Sequence, residues 1–319
     1  MPDQVFDTEI EERGGVLSGP FRRPLQMLAE QEYDGHTSIH DESQAQELGF
    51  SGAPIEGPTH FSQFDPLLHA LWGDTWFEAG CISAHFKTMV VEGEEVKAFV
   101  ERPAEGATIT RIWATKRTGE PVLEGTASLG PGHPPTKLDE LLASRPTPEQ
   151  LVLLEKVRIG DRSPAPDPVH MGFDQHLGNS YPFTLAGKLE KITEPCRWYQ
   201  PGAQTPWGGP IIPTEMISPL VSFTPSGLPA GPKGPSIGLF ADLEIRMLQG
   251  PLLVDKNYLL QREVVGLGES KRTESMWIKT EIRDADSGVL VATTLLNSAT
   301  LKNSYADYEQ EAVRLGVPT

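Results

Sequence analysis

The chain carries the same succession of apolar runs twice. In the first half, residues 85–87 lead through Gly93 to 96–100, then 109–115, a turn at Thr118-Gly119, and 122–129. In the second half, 243–246 lead to 258–265, then 276–282, a turn at Asp286-Ser287-Gly288, and 289–301. The runs are rich in β-branched and aromatic residues and are bounded by Gly, Asp or Ser, which predicts strands joined as antiparallel hairpins. Ahead of each series stands a related segment, Gly52-Ala53-Pro54-Ile55-Glu56-Gly57-Pro58-Thr59 and Gly208-Gly209-Pro210-Ile211-Ile212-Pro213-Thr214, the second one residue shorter. Such self-similarity marks an internal repeat. After the first segment, Phe61, Phe64, Leu67, Leu68 and Leu71 recur at helical spacing, and Pro58 suits a first helical turn. The pattern predicts a helix over 58–72, ending before Gly73, with Pro66 kinking it or removing one backbone bond. A helix this apolar must be buried, with the strands that follow wrapped around it.

Length and composition refine this picture. At 319 residues the chain suits two domains, and 38% hydrophobic side chains suffice for a substantial core. The 29 prolines and 31 glycines are unevenly spread. Those within 131–168 predict a Pro-rich linker between an N-terminal domain over 1–130 and a C-terminal domain over 169–319, with short helical turns at 138–142 and 151–157. Residues 225–235 read as a long loop. Two cysteines, Cys81 and Cys196, are too few for a disulfide framework or a thiolate metal site.

A net charge of −17 argues against nucleic acid as a partner. The first 23 residues lack the apolar centre of a secretory signal, and no stretch is long and apolar enough for a membrane helix, so the cytoplasm is the expected compartment. Arg22, Arg23, Lys87, Lys116 and Arg117 are candidates for a local basic patch on this acidic surface.

The stretch His36-Thr37-Ser38-Ile39-His40-Asp41, followed by Ala45, Gly49-Phe50 and Pro54-Ile55-Glu56-Gly57, resembles the MaoC-like, or hydratase-2-like, branch of the hot-dog superfamily. The resemblance, extended by the strands of both halves, implies an α+β fold of two tandem hot-dog domains. Each would be an antiparallel sheet wrapped round a central helix, and the pair an intramolecular double hot dog, a pseudo-dimer within one chain that could also form homo-oligomers. It implies a hydratase or dehydratase of enoyl thioesters, usually coenzyme A esters, with no metal or redox cofactor. His40 would be the general acid/base, and Gly57 would stand at the helix N-terminus whose N–H groups hold the thioester oxygen. The family places an aspartate five residues before the histidine. Here that position is Gly35, and Asp34 is the nearest acid. Asp34 is therefore the second catalytic candidate, with His36, Phe50, Glu56, Gly57, Thr59 and His60 as substrate-binding candidates. The second repeat aligns Cys196 near the His40 position, beside Arg197-Trp198-Tyr199, so the second half reads as catalytically degenerate.

Three other readings stand beside this one. Hot-dog thioesterases use an acid on the central helix, which makes Glu56 or Asp65 a base or nucleophile. The missing aspartate favours a noncatalytic protein binding acyl groups or small ligands. A specialised dehydratase or cyclase acting on a non-thioester metabolite is the fourth.

Overall fold

The computed structural model describes residues 5–33, 35–164 and 168–317. In chain order these form β1 (Glu11–Arg13), β2 (Val16–Ser18), β3 (Glu32–Tyr33), β4 (His36–Thr37) and α1 (Glu42–Glu47). A 3-10 segment, Gly57–Phe64, runs into α2 (Asp65–Trp72) and α3 (Thr75–Ala79). Then come β5 (Gly80–Phe86), β6 (Val96–Glu101), β7 (Ile109–Lys116), β8 (Pro121–Leu129) and α4 (Lys137–Ser144). The second half holds α5 (Leu185–Leu189), α6 (Thr214–Ser222), β9 (Gly238–Met247), β10 (Tyr258–Glu269), β11 (Thr273–Asp284), β12 (Leu290–Leu301) and α7 (Tyr308–Leu315).

Among the described residues, ten strands make one antiparallel sheet, ordered β1-β2-β6-β7-β8-β5-β9-β12-β11-β10. The order β6-β7-β8-β5 in one half is mirrored as β9-β12-β11-β10 in the other. The halves meet where β5 pairs with β9, from Cys81 opposite Arg246 to His85 opposite Asp242. This is a double hot dog, a pseudo-dimer closed within one chain.

Two helical segments fill the sheet's interior and pack on each other: Gly57–Phe64 with α2, and α6. Phe61, Phe64, Leu67 and Leu68 are wholly buried, as are Met216 and Leu220, in one core cluster that spans both halves. Side chains of this size each contribute about 1.5–3 kcal/mol on burial.

The expected single helix over 58–72 is two helices. Asp65 N–H donates to the Ser62 carbonyl three residues back, and Pro66, with no N–H to offer, sits in the first turn of α2. The proline thus ends a 3-10 segment and starts an α-helix, rather than kinking one.

The segment expected as a linker is packed. Its first helical turn is α4, capped by Thr136 and Asp139, and Leu138 lies against Trp277 and Leu295. Residues 151–157 form turns rather than a helix. Their backbone is held by the buried Glu274 carboxylate, which accepts from Val152 and Leu154 N–H. No helix among the described residues is long and apolar enough to cross a membrane.

Candidate active site

A cavity of about 410 Å³ lies between the chain leading into the first central helix and the second half of the molecule. His40, Glu56, Gly57, His60 and Phe86 line it from the first half. Tyr181, Ser222, Ala241 and Ser298 line it from the second. Most of its wall is apolar, and desolvation is the largest influence on His40, Glu56 and His60 within it.

His40 immediately precedes Asp41, whose carboxylate caps α1 by accepting from the Gln44 N–H at 2.9 Å. The imidazole Nδ1 lies 2.6 Å from the Pro54 carbonyl oxygen. A carbonyl only accepts, so Nδ1 carries the proton and Nε2 keeps a free lone pair. Nε2 makes no hydrogen bond among the described residues. The carbonyl that orients the ring is itself fixed: Gln26 Nε2 donates to it at 2.7 Å, and Ile55 N–H next to it donates to Val90 O at 2.7 Å. Burial pushes the imidazolium pKa down to about 4, against the favourable bond to Pro54. At neutral pH His40 is an uncharged base on the cavity wall.

Glu56 stands at the cap position of the 3-10 segment, but its side chain caps nothing. It turns into the protein, 8% exposed, and Oε1 accepts from the Tyr181 hydroxyl at 3.2 Å. Desolvation raises its pKa to about 7, opposed by the Lys188 charge and the Tyr181 bond. Lys188, on α5, donates to Thr59 Oγ1 at 3.1 Å and lies 3.6 Å from Glu215 Oε1. Glu215, on α6, is likewise pushed up to about 7 by burial. His60, on the first central segment, is held near 4 by burial, and its Nδ1 has no partner among the described residues.

Of the sequence candidates, the cavity brings together His40, Glu56, Gly57 and His60. Phe50 does not line it: it packs against the buried cluster of Ile39, Ile237 and Leu301, with the Arg272 guanidinium 5.9 Å from its ring centroid. Thr59 is buried beneath the wall as a ligand of Lys188. His36 stands one layer out, edge-on to Tyr33 with ring centroids 4.7 Å apart, its Nδ1 on the Thr37 carbonyl. Asp34 lies outside the described residues. Asp65 is wholly buried away from the cavity, accepting from Trp76 Nε1, Tyr199 OH and Thr214 Oγ1 at 2.8–3.0 Å. Those three bonds occupy most of the carboxylate's acceptor positions and hold it away from the cavity.

The candidate basic patch is neutralised. Arg22 meets Glu194, Arg23 meets Glu95, Lys87 meets Glu124, Lys116 meets Glu94, and Arg117 meets Glu95. Gly57 has a packing role that the sequence did not signal, since a Cβ there would lie 2.7 Å from the Phe86 ring.

Tyr181, Lys188 and Glu215 reach the site from more than a hundred residues away and carry no local signature. The internal repeat could have flagged one of them: aligned through Thr59 and Thr214, it sets Glu215 opposite His60.

No protein-family model matches the chain, and no curated protein is detectably similar to it. Its structural neighbours include MaoC-like dehydratases, thioesterases and a double hot-dog protein. One is a provisionally assigned MaoC-domain dehydratase from Chloroflexus aurantiacus, at 13% identity over 94% of this chain and 95% of that one, TM-score 0.47. Another is the dehydratase domain of PpsC from Mycobacterium tuberculosis, solved with C12:1-CoA, at 9% identity over 93% and 98%, TM-score 0.47. A third, a provisionally assigned oleoyl thioesterase from Lactobacillus plantarum, is similar at 10% identity over 90% and 96%, TM-score 0.42.

Proposed function

We propose that the protein is a hydratase or dehydratase, adding or removing water at the double bond of an enoyl thioester such as a coenzyme A ester. One observation carries this reading: His40, half-buried with Nδ1 on the Pro54 carbonyl and Nε2 free among the described residues, and Glu56, buried on the Tyr181 hydroxyl, line one apolar cavity, the first an uncharged base and the second pushed towards its neutral form. In the hydration direction, His40 Nε2 takes a proton from water as its oxygen bonds to the β-carbon. The π electrons move towards the thioester, and the Glu56 carboxyl returns a proton to the α-carbon. The proton left on His40 then passes through solvent to Glu56, which restores both groups. Gly57 N–H, first in its helical segment and without an intrahelical acceptor, is the donor suited to the enolate oxygen. Dehydration runs the same steps backwards.

The test is incubation with a panel of enoyl- and 3-hydroxyacyl-thioesters, read by mass spectrometry for gain or loss of one water. His40→Ala is expected to lower the rate by roughly two to four orders of magnitude, as loss of a general acid/base does. Full activity in that variant would remove His40 from the mechanism.

A thioesterase is the second reading. With Asp65 committed to three buried bonds, it rests on Glu56 alone and requires that group as a carboxylate.

A further inference from the structure

Behind the main cavity lies a second one of about 130 Å³, and Ser222, the last residue of α6, lines both. The two follow one another along a single face of the sheet. On β12, Ser298 lines the first, whereas Leu296 and Thr294 line the second. Alternate residues of a strand face the same way, so the second cavity is an inward continuation of the first.

Arg262 forms part of its wall. It stands abreast of Thr280 and Thr294 on three adjacent strands, each directly opposite the next in register. Arg262 is 7% exposed, and no carboxylate pairs with it among the described residues. Its Nη2 donates to the Val221 carbonyl at 2.7 Å and to Thr224 Oγ1 at 3.3 Å, and Nη1 donates to the Ser226 carbonyl at 3.3 Å. These contacts tie the guanidinium to the C-terminal end of α6. They engage three of the five N–H donors that a guanidinium carries, and none of the acceptors bears a full negative charge. Lys188, the other buried cation among the described residues, has Glu215 beside it. Buried charges are ordinarily paired, and this one borders a cavity instead.

We propose that the second cavity is a carboxylate subsite, in which Arg262 receives a carboxylate at the far end of an acyl chain whose reacting end lies beside His40 and Glu56. The preferred ligands are then acyl groups of dicarboxylic acids. This rests on the acyl-ligand reading of the main cavity. The space and the threonine hydroxyls beside Arg262 suit a carboxylate, and its planar two-oxygen shape matches the donors of an arginine.

The test is equilibrium binding by titration calorimetry, using ligands that undergo neither hydration nor thioester cleavage. The N-butyl monoamides of adipic, suberic and sebacic acids are compared with the N-butylamides of hexanoic, octanoic and decanoic acids. At the best-fitting length the carboxylate-ended amide should bind at least about tenfold more tightly than its methyl-ended counterpart. That margin should vanish in Arg262→Met, with binding of the methyl-ended series kept. Because Arg262 also ties down α6, Thr294→Leu provides a second arm: it fills the cavity, leaves the arginine in place, and should remove the same margin. Equal binding of the two series to the wild type, or a margin that survives either folded variant, overturns the subsite. Equal binding alongside intact water addition overturns the subsite and leaves the proposed activity standing. If neither series binds and no thioester is turned over, the acyl reading falls, and the subsite with it.

Discussion

At the scale of single residues, one physical cause sets the site, and it acts on two groups in opposite senses. Removing water disfavours the charged form of each, so the imidazolium of His40 loses its proton more readily and the carboxyl of Glu56 keeps its own. Between about pH 4 and about pH 7 both therefore hold the form that the proposed hydration needs. The expected profile of kcat/KM for an accepted enoyl thioester is a plateau over that window, falling on the acid side as His40 is protonated and on the alkaline side as Glu56 ionises. In Glu56→Gln the alkaline limb near pH 7 should disappear. A thioesterase using the Glu56 carboxylate as base would show the opposite sign, with activity rising through pH 7, so one profile separates the two chemistries. The same group links to stability. Its folded pKa of about 7 exceeds the ordinary 4.5, so the native state binds the extra proton in between, and Glu56 weakens the fold as pH rises through that range. Relative to wild type, Glu56→Gln should gain stability between pH 4.5 and pH 8, by at most about 3 kcal/mol. Chemical denaturation at the two pH values measures it, and an unchanged difference would mean that Glu56 titrates normally.

At the scale of elements, the entry into the first central helix is fixed by close packing as well as by sequence pattern. Gly57 lies against the Phe86 ring, which also stacks on Phe61 with centroids 6.0 Å apart. Gly57→Ala is expected to push that ring aside and destabilise the protein by about 1–3 kcal/mol, as overpacking does. Adding Phe86→Leu should recover part of the loss in urea unfolding; no recovery would place the strain elsewhere. The β5–β12 strands were legible because their β-branched and aromatic runs end at turn residues with a local cause, such as Asp286-Ser287-Gly288 between β11 and β12. Short elements were not. The β1–β2 hairpin has three residues to a strand, and its place is set by pairing of Leu17 with Val100 on β6, far along the chain. The turns at 151–157 showed an apolar run, but what fixes them is the Glu274 carboxylate, more than a hundred residues away. The site divides in the same way. His40 and Glu56 lie in one short motif and were readable as candidates. Their protonation depends first on burial and then, in the opposite sense, on Pro54 O, Tyr181 and Lys188, surroundings that only the folded chain creates.

At the scale of the whole molecule, the β5–β9 seam makes the two halves one unit. Each of these strands has its other neighbour within its own half, so separating the halves would leave two sheet edges with unpaired backbone groups. Side chains reinforce the seam: Asp242, buried on β9, accepts from His85 Nδ1 at 2.5 Å and Asn297 Nδ2 at 2.6 Å. Beneath it the core is shared, with Phe61 and Phe64 of one half and Met216 and Leu220 of the other in a single cluster. The main cavity depends on this union, since His40 and Glu56 come from one half while Tyr181, Ser222 and Ser298 come from the other. The expected consequence is one cooperative thermal transition for the full chain, with equal calorimetric and van't Hoff enthalpies. Residues 1–130 or 169–319 expressed alone should aggregate, or pair with copies of themselves through the exposed β5 or β9 edge, rather than remain folded monomers. Two resolved transitions, or a monomeric fragment with its own cooperative unfolding, would show that the seam joins two independently stable domains. The cavity would then be a feature of their docking, and mutations at Asp242 should weaken activity without lowering the stability of either half. If the halves are interdependent, Asp242→Ala should instead lower the single transition of the whole chain, because it leaves His85 and Asn297 without the acceptor they share.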